Sequence, residues 1–390
     1  MRRCIGVVLI VLMLGGCVSS DTQPGKIDIE GIHFDTSEQD VSYEEIMSNG
    51  YFSIEGDTAY FNPYFSPWIC YWDLKSGEAG KLCGKPECEH EGRGCNAYTT
   101  MLSGAQVYED HVYFMEGNNV ICRMDLDGTD REIVRTVESL VGSDGYWIIH
   151  RGKIYTRVVK QVVEDGKNYS DLYIYQHDLE GMEREKLLLQ KRYEIAPKVL
   201  WRFQGDYAYF QVEYGTLEET EREVYIYDMK TGAVEKVIDL HLEEWITLDF
   251  HVHEQDLVYL EKTVTDLRLS HYDLLTGETT EQFVYPYAQG YLGYISEDES
   301  KVLLYDFLRD PEKRWVYLLN EEGEVEREWV LPPGETLEIY DSDEEGFVMY
   351  EELRMTEEDE ENEESHYIIW KFPYDGDKAE VLLELTVQGW

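Results

Sequence analysis

The chain has 390 residues, 43% of them hydrophobic and 13% aromatic, with 31 tyrosines. That is enough apolar material for a sizeable core, and it excludes an intrinsically disordered chain. Thirty-four Lys and Arg stand against 81 Asp and Glu, a formal charge of −47, which excludes nucleic acid as a partner because phosphate binding needs clustered cations.

The N-terminus comes first in chain order. Arg2 and Arg3 precede an apolar run, Ile5 to Leu14, of the length of a signal h-region and too short to span a bilayer. The run ends in Leu14-Gly15-Gly16-Cys17. This resembles the lipobox of bacterial lipoproteins, where small residues precede a cysteine that is lipidated and becomes the mature N-terminus. The resemblance implies a signal peptide over residues 1–16, a diacylated Cys17 and a place on the outer face of the cell membrane. A plain signal peptide with Cys17 unmodified is the alternative. So acidic a chain is repelled by anionic lipid, so the lipid alone would hold it there. Residues 17–30, with Pro24 and Gly25, read as a polar tether, and residues 31–390 as the folded body.

Seven glycines then recur at an almost even beat: Gly77, Gly128, Gly181, Gly232, Gly277, Gly323 and Gly376, with gaps of 51, 53, 51, 45, 46 and 53 residues. Each closes a short polar turn between two β-rich runs. In the fourth unit Trp201-Arg202-Phe203, Tyr207 to Val212, Val224 to Met229 and Val234 to Leu240 read as four strands, with turns at Gly205-Asp206 and Lys230-Thr231-Gly232 and a polar loop from Gly215 to Glu223. An Asp or Asn three or four residues before the glycine can bond back to the turn, and the glycine can take positive φ; Phe372-Pro373-Tyr374-Asp375-Gly376 is a degenerate copy. A period near ~50 with four strands per unit predicts an all-β, seven-bladed β-propeller of four-stranded antiparallel blades. The last strand is expected over Val381 to Val387.

The strand–Asp–Leu–x–Thr–Gly–Glu pattern is similar to that of broad propeller superfamilies, the TolB-like and quinoprotein-like ones among them. It lacks the Gly-Gly doublet of kelch repeats, the Trp-Asp ending of WD repeats and the tryptophan that ends the quinoprotein docking repeat. Leu82-Cys83-Gly84-Lys85-Pro86-Glu87-Cys88-Glu89-His90, with Cys95-Asn96-Ala97-Tyr98, resembles a segment of propeller lipoproteins from Gram-positive gut bacteria.

That segment spells C-x4-C-x-H-x4-C and falls between the fourth strand of blade 1 and the first strand of blade 2. Cys83, Cys88, Cys95 and His90 make a complete tetrahedral set for a structural zinc ion, with no open position for chemistry. A disulfide among the three cysteines, as expected of an exported protein, is the competing reading. Cys70 and Cys122 occupy equivalent strand positions in successive blades and read as small buried residues, a bridge between them being the alternative.

Asp249, His251 and His253 alternate on a strand and share a face, the pattern of a metal-ligand trio. Counting eight residues back from Tyr60, Tyr155, Tyr209 and Tyr259 gives Phe52, Trp147, Trp201 and His251, so His251 also fits a slot for rings packed between blades. Glu218, Glu219, Glu221 and Glu223, and the run Glu357 to Glu364, read as acidic loops at the end of the ring that carries the cysteine segment, either solvated or forming an acidic rim. Asp125-Leu126-Asp127-Gly128-Thr129-Asp130 is too poor in ligands for calcium and reads as a turn.

No nucleophile elbow, zinc-protease helix, phosphate loop or dinucleotide fingerprint occurs. The sequence therefore points away from an enzyme, to a binding or scaffolding module for an extracellular protein, peptide or glycan. The alternative is a surface hydrolase or lyase acting on glycans, with carboxylate acid and base residues at the channel mouth.

Overall fold

The computed structural model describes residues 26–33, 41–43, 52–62, 66–99, 104–117, 119–140, 146–181, 185–216, 219–242, 245–286, 291–296, 299–310, 313–332, 337–342, 345–353 and 364–388. Cys17, the signal segment, Glu218 and Glu357 to Glu363 lie outside the described residues.

The glycine beat becomes seven antiparallel sheets, each of four consecutive strands. Blade 1 is Phe52–Glu55, Thr58–Phe61, Cys70–Asp73 and Ala79–Lys81; blade 2 is Ala105–Tyr108, His111–Glu116, Val120–Asp125 and Glu132–Thr136. Blade 3 is Tyr146–His150, Lys153–Glu164, Lys167–Asp178 and Lys186–Tyr193; blade 4 is Lys198–Gln204, Tyr207–Gly215, Thr220–Asp228 and Val234–Leu242. Blade 5 is Ile246–His253, Asp256–Lys262, Asp266–Asp273 and Thr279–Pro286; blade 6 is Tyr291–Ile295, Val302–Asp310, Lys313–Leu319 and Val325–Leu331. Blade 7 is Leu337–Ser342, Gly346–Leu353, Glu364–Pro373 and Glu380–Gln388. First strands of blades 1 and 2, 2 and 3, 4 and 5, and 5 and 6 approach one another, so the first strands line the central channel.

The turns form as their residues dictate. Asp73 Oδ1 accepts the N–H groups of Lys75 and Ser76 at 2.9 and 2.8 Å, and Gly77 follows at φ 73°. Asp228 and Asp273 do the same ahead of Gly232 and Gly277. Gly376, the most degenerate copy, is not among the positive-φ glycines and closes on Pro373 O at 3.4 Å.

Seven apolar clusters fill the seven boundaries between blades. One of them joins Phe61, Cys70 and Trp72 of blade 1 to Tyr350, Tyr367 and Ile369 of blade 7. Among the described residues blades 1 and 7 are each built from contiguous chain and share no strand, so side-chain packing joins them. Cys70 and Cys122 lie opposite Phe61 and Phe114 but in different boundaries, and no disulfide joins them.

The N-terminal chain is built into this body. Ile27 and Ile32 are buried with Leu200, Phe250 and Leu257 between blades 4 and 5, Ile27 N–H donates to Glu235 at 2.8 Å, and Gln255 Nε2 donates to Ile32 O at 2.7 Å. The expected tether over residues 17–30 thus overlaps a docked turn at Ile27 and Ile29. Strand Val41–Tyr43 pairs antiparallel with Gln204, Phe203 and Arg202, on the channel side of blade 4, making that sheet five-stranded.

Candidate metal centre and interblade ion pairs

The cysteine segment interrupts the outer edge of blade 1. Leu82 N–H bonds to Ile69 O below it, while Ile69 N–H bonds to Ala97 O and Trp68 bridges Tyr98 above it. Residues 83–95 form a knuckle between these two halves. The knuckle rests on the third-to-fourth-strand turn of blade 2: Gly84 N–H and Asn96 Nδ2 both donate to Gly128 O, at 3.0 and 2.8 Å. A Cβ on Gly128 would lie 2.7 Å from Cys83 N, and its φ is +78°, so both contact and turn require glycine. Arg131 donates to Asn96 O and Tyr98 O, fixing the segment's far end.

The knuckle brings Cys83, Cys88, His90 and Cys95 together, with their ligand atoms all within 4.8 Å of one another; it is the one such group among the described residues. Each sulfur also receives a backbone N–H two residues on: Lys85 to Cys83, His90 to Cys88 at 3.4 Å, and Ala97 to Cys95, with Asn96 adding a second to Cys83. Such donors stabilise thiolates. Burial works against ionisation of Cys83, yet these N–H groups and the neighbouring thiols outweigh it and hold Cys83 at about 6. Burial and the adjacent Cys83 sulfur push Cys95 up to about 12, because one thiolate beside another needs a cation. Cys95 Sγ stands 3.6 Å from His90 Nδ1; a tetrahedral zinc with Zn–S of ~2.3 Å and Zn–N of ~2.0 Å puts these atoms about 3.5 Å apart. Glu87 and His90 are held at φ 63° and 56°, left-handed values that a bare loop would avoid.

The second candidate trio is placed differently. Asp249 and His251 meet, with His251 Nε2 3.6 Å from Asp249 Oδ2, and His253 is exposed. Asp249 accepts from Arg202 at 2.5 Å and from the N–H groups of Phe250 and Ile295 at 2.9 and 3.0 Å. It thus ties blades 4, 5 and 6. Burial opposes its charge, but Arg202, His251 and the backbone donor prevail and hold it down at about 2. The ring slot assigned to His251 belongs to Phe250, which lies opposite Tyr259 as Trp201 lies opposite Phe210. Blade 5 carries its tyrosine one place later after the first turn, so a count from that tyrosine lands one residue too far.

The acidic residues of blade 4 are likewise mostly strand rather than loop. Glu223 is buried and accepts from Lys191 and from Tyr225 at 2.9 Å, and Glu221 pairs with His241 at 2.8 Å. Arg222 and Arg314, each six residues before its turn Asx, reach the next blade at equivalent places. Arg222 binds Glu261 at 2.7 Å and Glu213 at 3.0 Å; Arg314 binds Glu351 at 2.8 Å. These latches were not foreseen, and arginines spaced six residues ahead of the turn were the available signal.

No protein-family profile matches the chain. A search of curated proteins finds no match either. Solved structures do match. An oligogalacturonate lyase in complex with manganese is 15% identical at a TM-score of 0.52, over 90% of this chain and 91% of that one. A polysaccharide lyase of family PL25, an ulvan lyase bound to -[GlcA(1-4)Rha3S]-, is 11% identical at 0.54, over 86% and 95%. A prolyl endopeptidase is 13% identical at 0.51, over 90% of this chain and 50% of that one. At such identities the likeness is one of fold: the chain is a β-propeller.

Proposed function

We propose that this protein is a binding or scaffolding propeller without catalysis of its own, tethered outside the cell by lipid on Cys17, and that Cys83, Cys88, His90 and Cys95 hold a structural zinc ion. The reading is carried by how the buried carboxylates are used. Asp249, Glu213, Glu223, Glu261 and Glu351 are each held by an Arg or Lys across or within a blade boundary. Cleavage of glycans by paired carboxyls needs one of them kept protonated near neutral pH. For Asp249, Glu223 and Glu261 burial works in that direction, but their cationic partners overcome it and hold them low. Four filled ligand positions on the outer edge of blade 1 suit a metal that joins chain rather than one that turns over substrate.

One group favours the second reading, a glycan-acting hydrolase or lyase. Burial raises Glu299, at the first turn of blade 6, against the opposing influence of His251, His253 and His271. A panel of acidic and neutral glycans decides between them. Turnover lost in Glu299→Gln would overturn the binding reading; no turnover on any of them supports it. Intact mass and metal analysis of protein purified without chelator should give one zinc per chain and a diacylated N-terminus. A Cys83–Cys95 or Cys88–Cys95 disulfide in zinc-free protein would remove the metal, and an unmodified mass would remove the anchor.

A further inference from the structure

Lys81 is the last residue of the fourth strand of blade 1 and stands opposite Cys70. Residues directly opposite across an antiparallel pair share a face of the sheet. That face belongs to the cluster at the boundary with blade 7, where Trp68, Cys70 and Cys95 are buried and Cys83 and Cys88 pack against them. An ammonium group brought to such a neighbourhood loses hydration, so something nearby has to favour its charge.

Its contacts join the two halves of the knuckle. Lys81 Nζ lies 3.7 Å from the centre of the Trp68 ring and donates to His90 O at 3.3 Å. Trp68 bridges Tyr98 where the segment returns to the sheet, and His90 is one of the four possible ligands, with Cys95 Sγ 3.6 Å from its ring. His90 also sits at φ 56°, so a tie on its carbonyl holds a backbone conformation that a bare loop avoids.

Charge gives this contact a further meaning. Three thiolates and a neutral imidazole around a divalent ion leave the centre with a surplus of about one negative charge. Between residues 81 and 95 the chain carries Lys81, Lys85 and Arg93 against Glu87, Glu89 and Glu91. Lys85 and Arg93 are exposed, and Lys85 donates to Gly94 O at 2.8 Å. Arg131, at the far end of the segment, pairs with Glu116 at 2.8 Å. Lys81 is the half-buried cation of the group. Water and salt screen exposed charges, whereas one held against an apolar cluster acts through a lower dielectric.

We propose that Lys81 is the counter-charge and positioning residue of the metal knuckle: its ammonium offsets the surplus negative charge of the zinc–thiolate centre, and its hydrogen bond fixes His90. This deepens the zinc reading and rests on it.

The test uses the full chain, stripped of metal under reducing conditions and titrated with zinc against a colorimetric chelator. The wild type takes up one zinc. Lys81→Met, which keeps an apolar stem over Trp68, binds it about 10–100-fold more weakly. Lys81→Gln, which retains a donor without the charge, falls with it, and Lys81→Arg recovers most of the affinity. Thiols lose their protons on binding metal, so the pH at which half the protein is loaded at fixed zinc rises in the Met and Gln variants and returns in the Arg variant. Unchanged affinity and an unchanged half-loading pH in Lys81→Met overturn the inference. Lys81→Arg as weak as Lys81→Met overturns it too, since packing around Trp68 would then be the whole effect. A wild type that takes up no zinc overturns the zinc reading and the inference with it, whereas a wild type that loads and a Lys81→Met that matches it overturn the inference alone.

Discussion

Arg202 and Asp249 meet across the boundary of blades 4 and 5 with side chains 10% and 8% exposed. Charges so far out of water are worth little as a pair against an apolar replacement, but removing one strands the other. Asp249→Asn should therefore destabilise the protein by about 3 kcal/mol, read from urea unfolding at neutral pH. The sign with pH follows from its depressed folded-state value of about 2. Its contribution is full above the ordinary carboxyl value of about 4 and is lost as pH falls through about 2, where the two proteins should converge. At this scale the sequence was only partly legible. Asp73, Asp228 and Asp273 could be assigned to their turns because an Asx turn is local. The partners of Asp249 could not, because Arg202 and Ile295 lie almost a whole unit away on either side and only blade order brings them near.

The knuckle of blade 1 is an element without regular structure, held by four side chains and a neighbouring turn. Its cluster of possible ligands was legible because spacing within a short loop survives any fold, and so was its place between the fourth strand of blade 1 and the first strand of blade 2; the return of the chain at Ala97 and Tyr98 to the same edge was not, since a split outer strand leaves no periodic trace. Cys88→Ala should abolish zinc binding and lower the melting temperature by several degrees, and chelator should do the same to the wild type but not to the variant. Gly128→Ala tests the docking from the other side. A side chain there meets Cys83 at 2.7 Å, so the variant should lose about 2 kcal/mol and release zinc faster, measured with a colorimetric chelator. In blade 5, a register shift between Thr247 and Asp249 adds a further break in the repeat. An eight-residue count assumes a uniform frame, and the late tyrosine of this blade departs from it.

Among the described residues the ring closes by side-chain packing, with no strand shared between blades 1 and 7. Phe61, 2% exposed at the blade 1–blade 7 boundary, should cost about 3–4 kcal/mol as Phe61→Ala, with hydrogen-exchange protection falling first in blades 1 and 7. The charge of −47 opposes compaction everywhere at once, and screening relieves it. Raising NaCl from about 0.01 M to about 0.15 M should raise the melting temperature, the reverse of what a fold held by surface ion pairs would do. Ring size and blade boundaries were readable from seven glycines because a hairpin turn is imposed residue by residue. The long second and third strands of blade 3 were not, because they depart from the repeat in length rather than in grammar.

Docking of the leading segment has a mechanical corollary. Ile27 and Ile32 enter the body at blades 4 and 5, on the side bearing the first-to-second-strand turns. Tension applied through the amino end would thus reach the wheel at its middle spokes, far from its seam. The blade encoded earliest is shielded from that load.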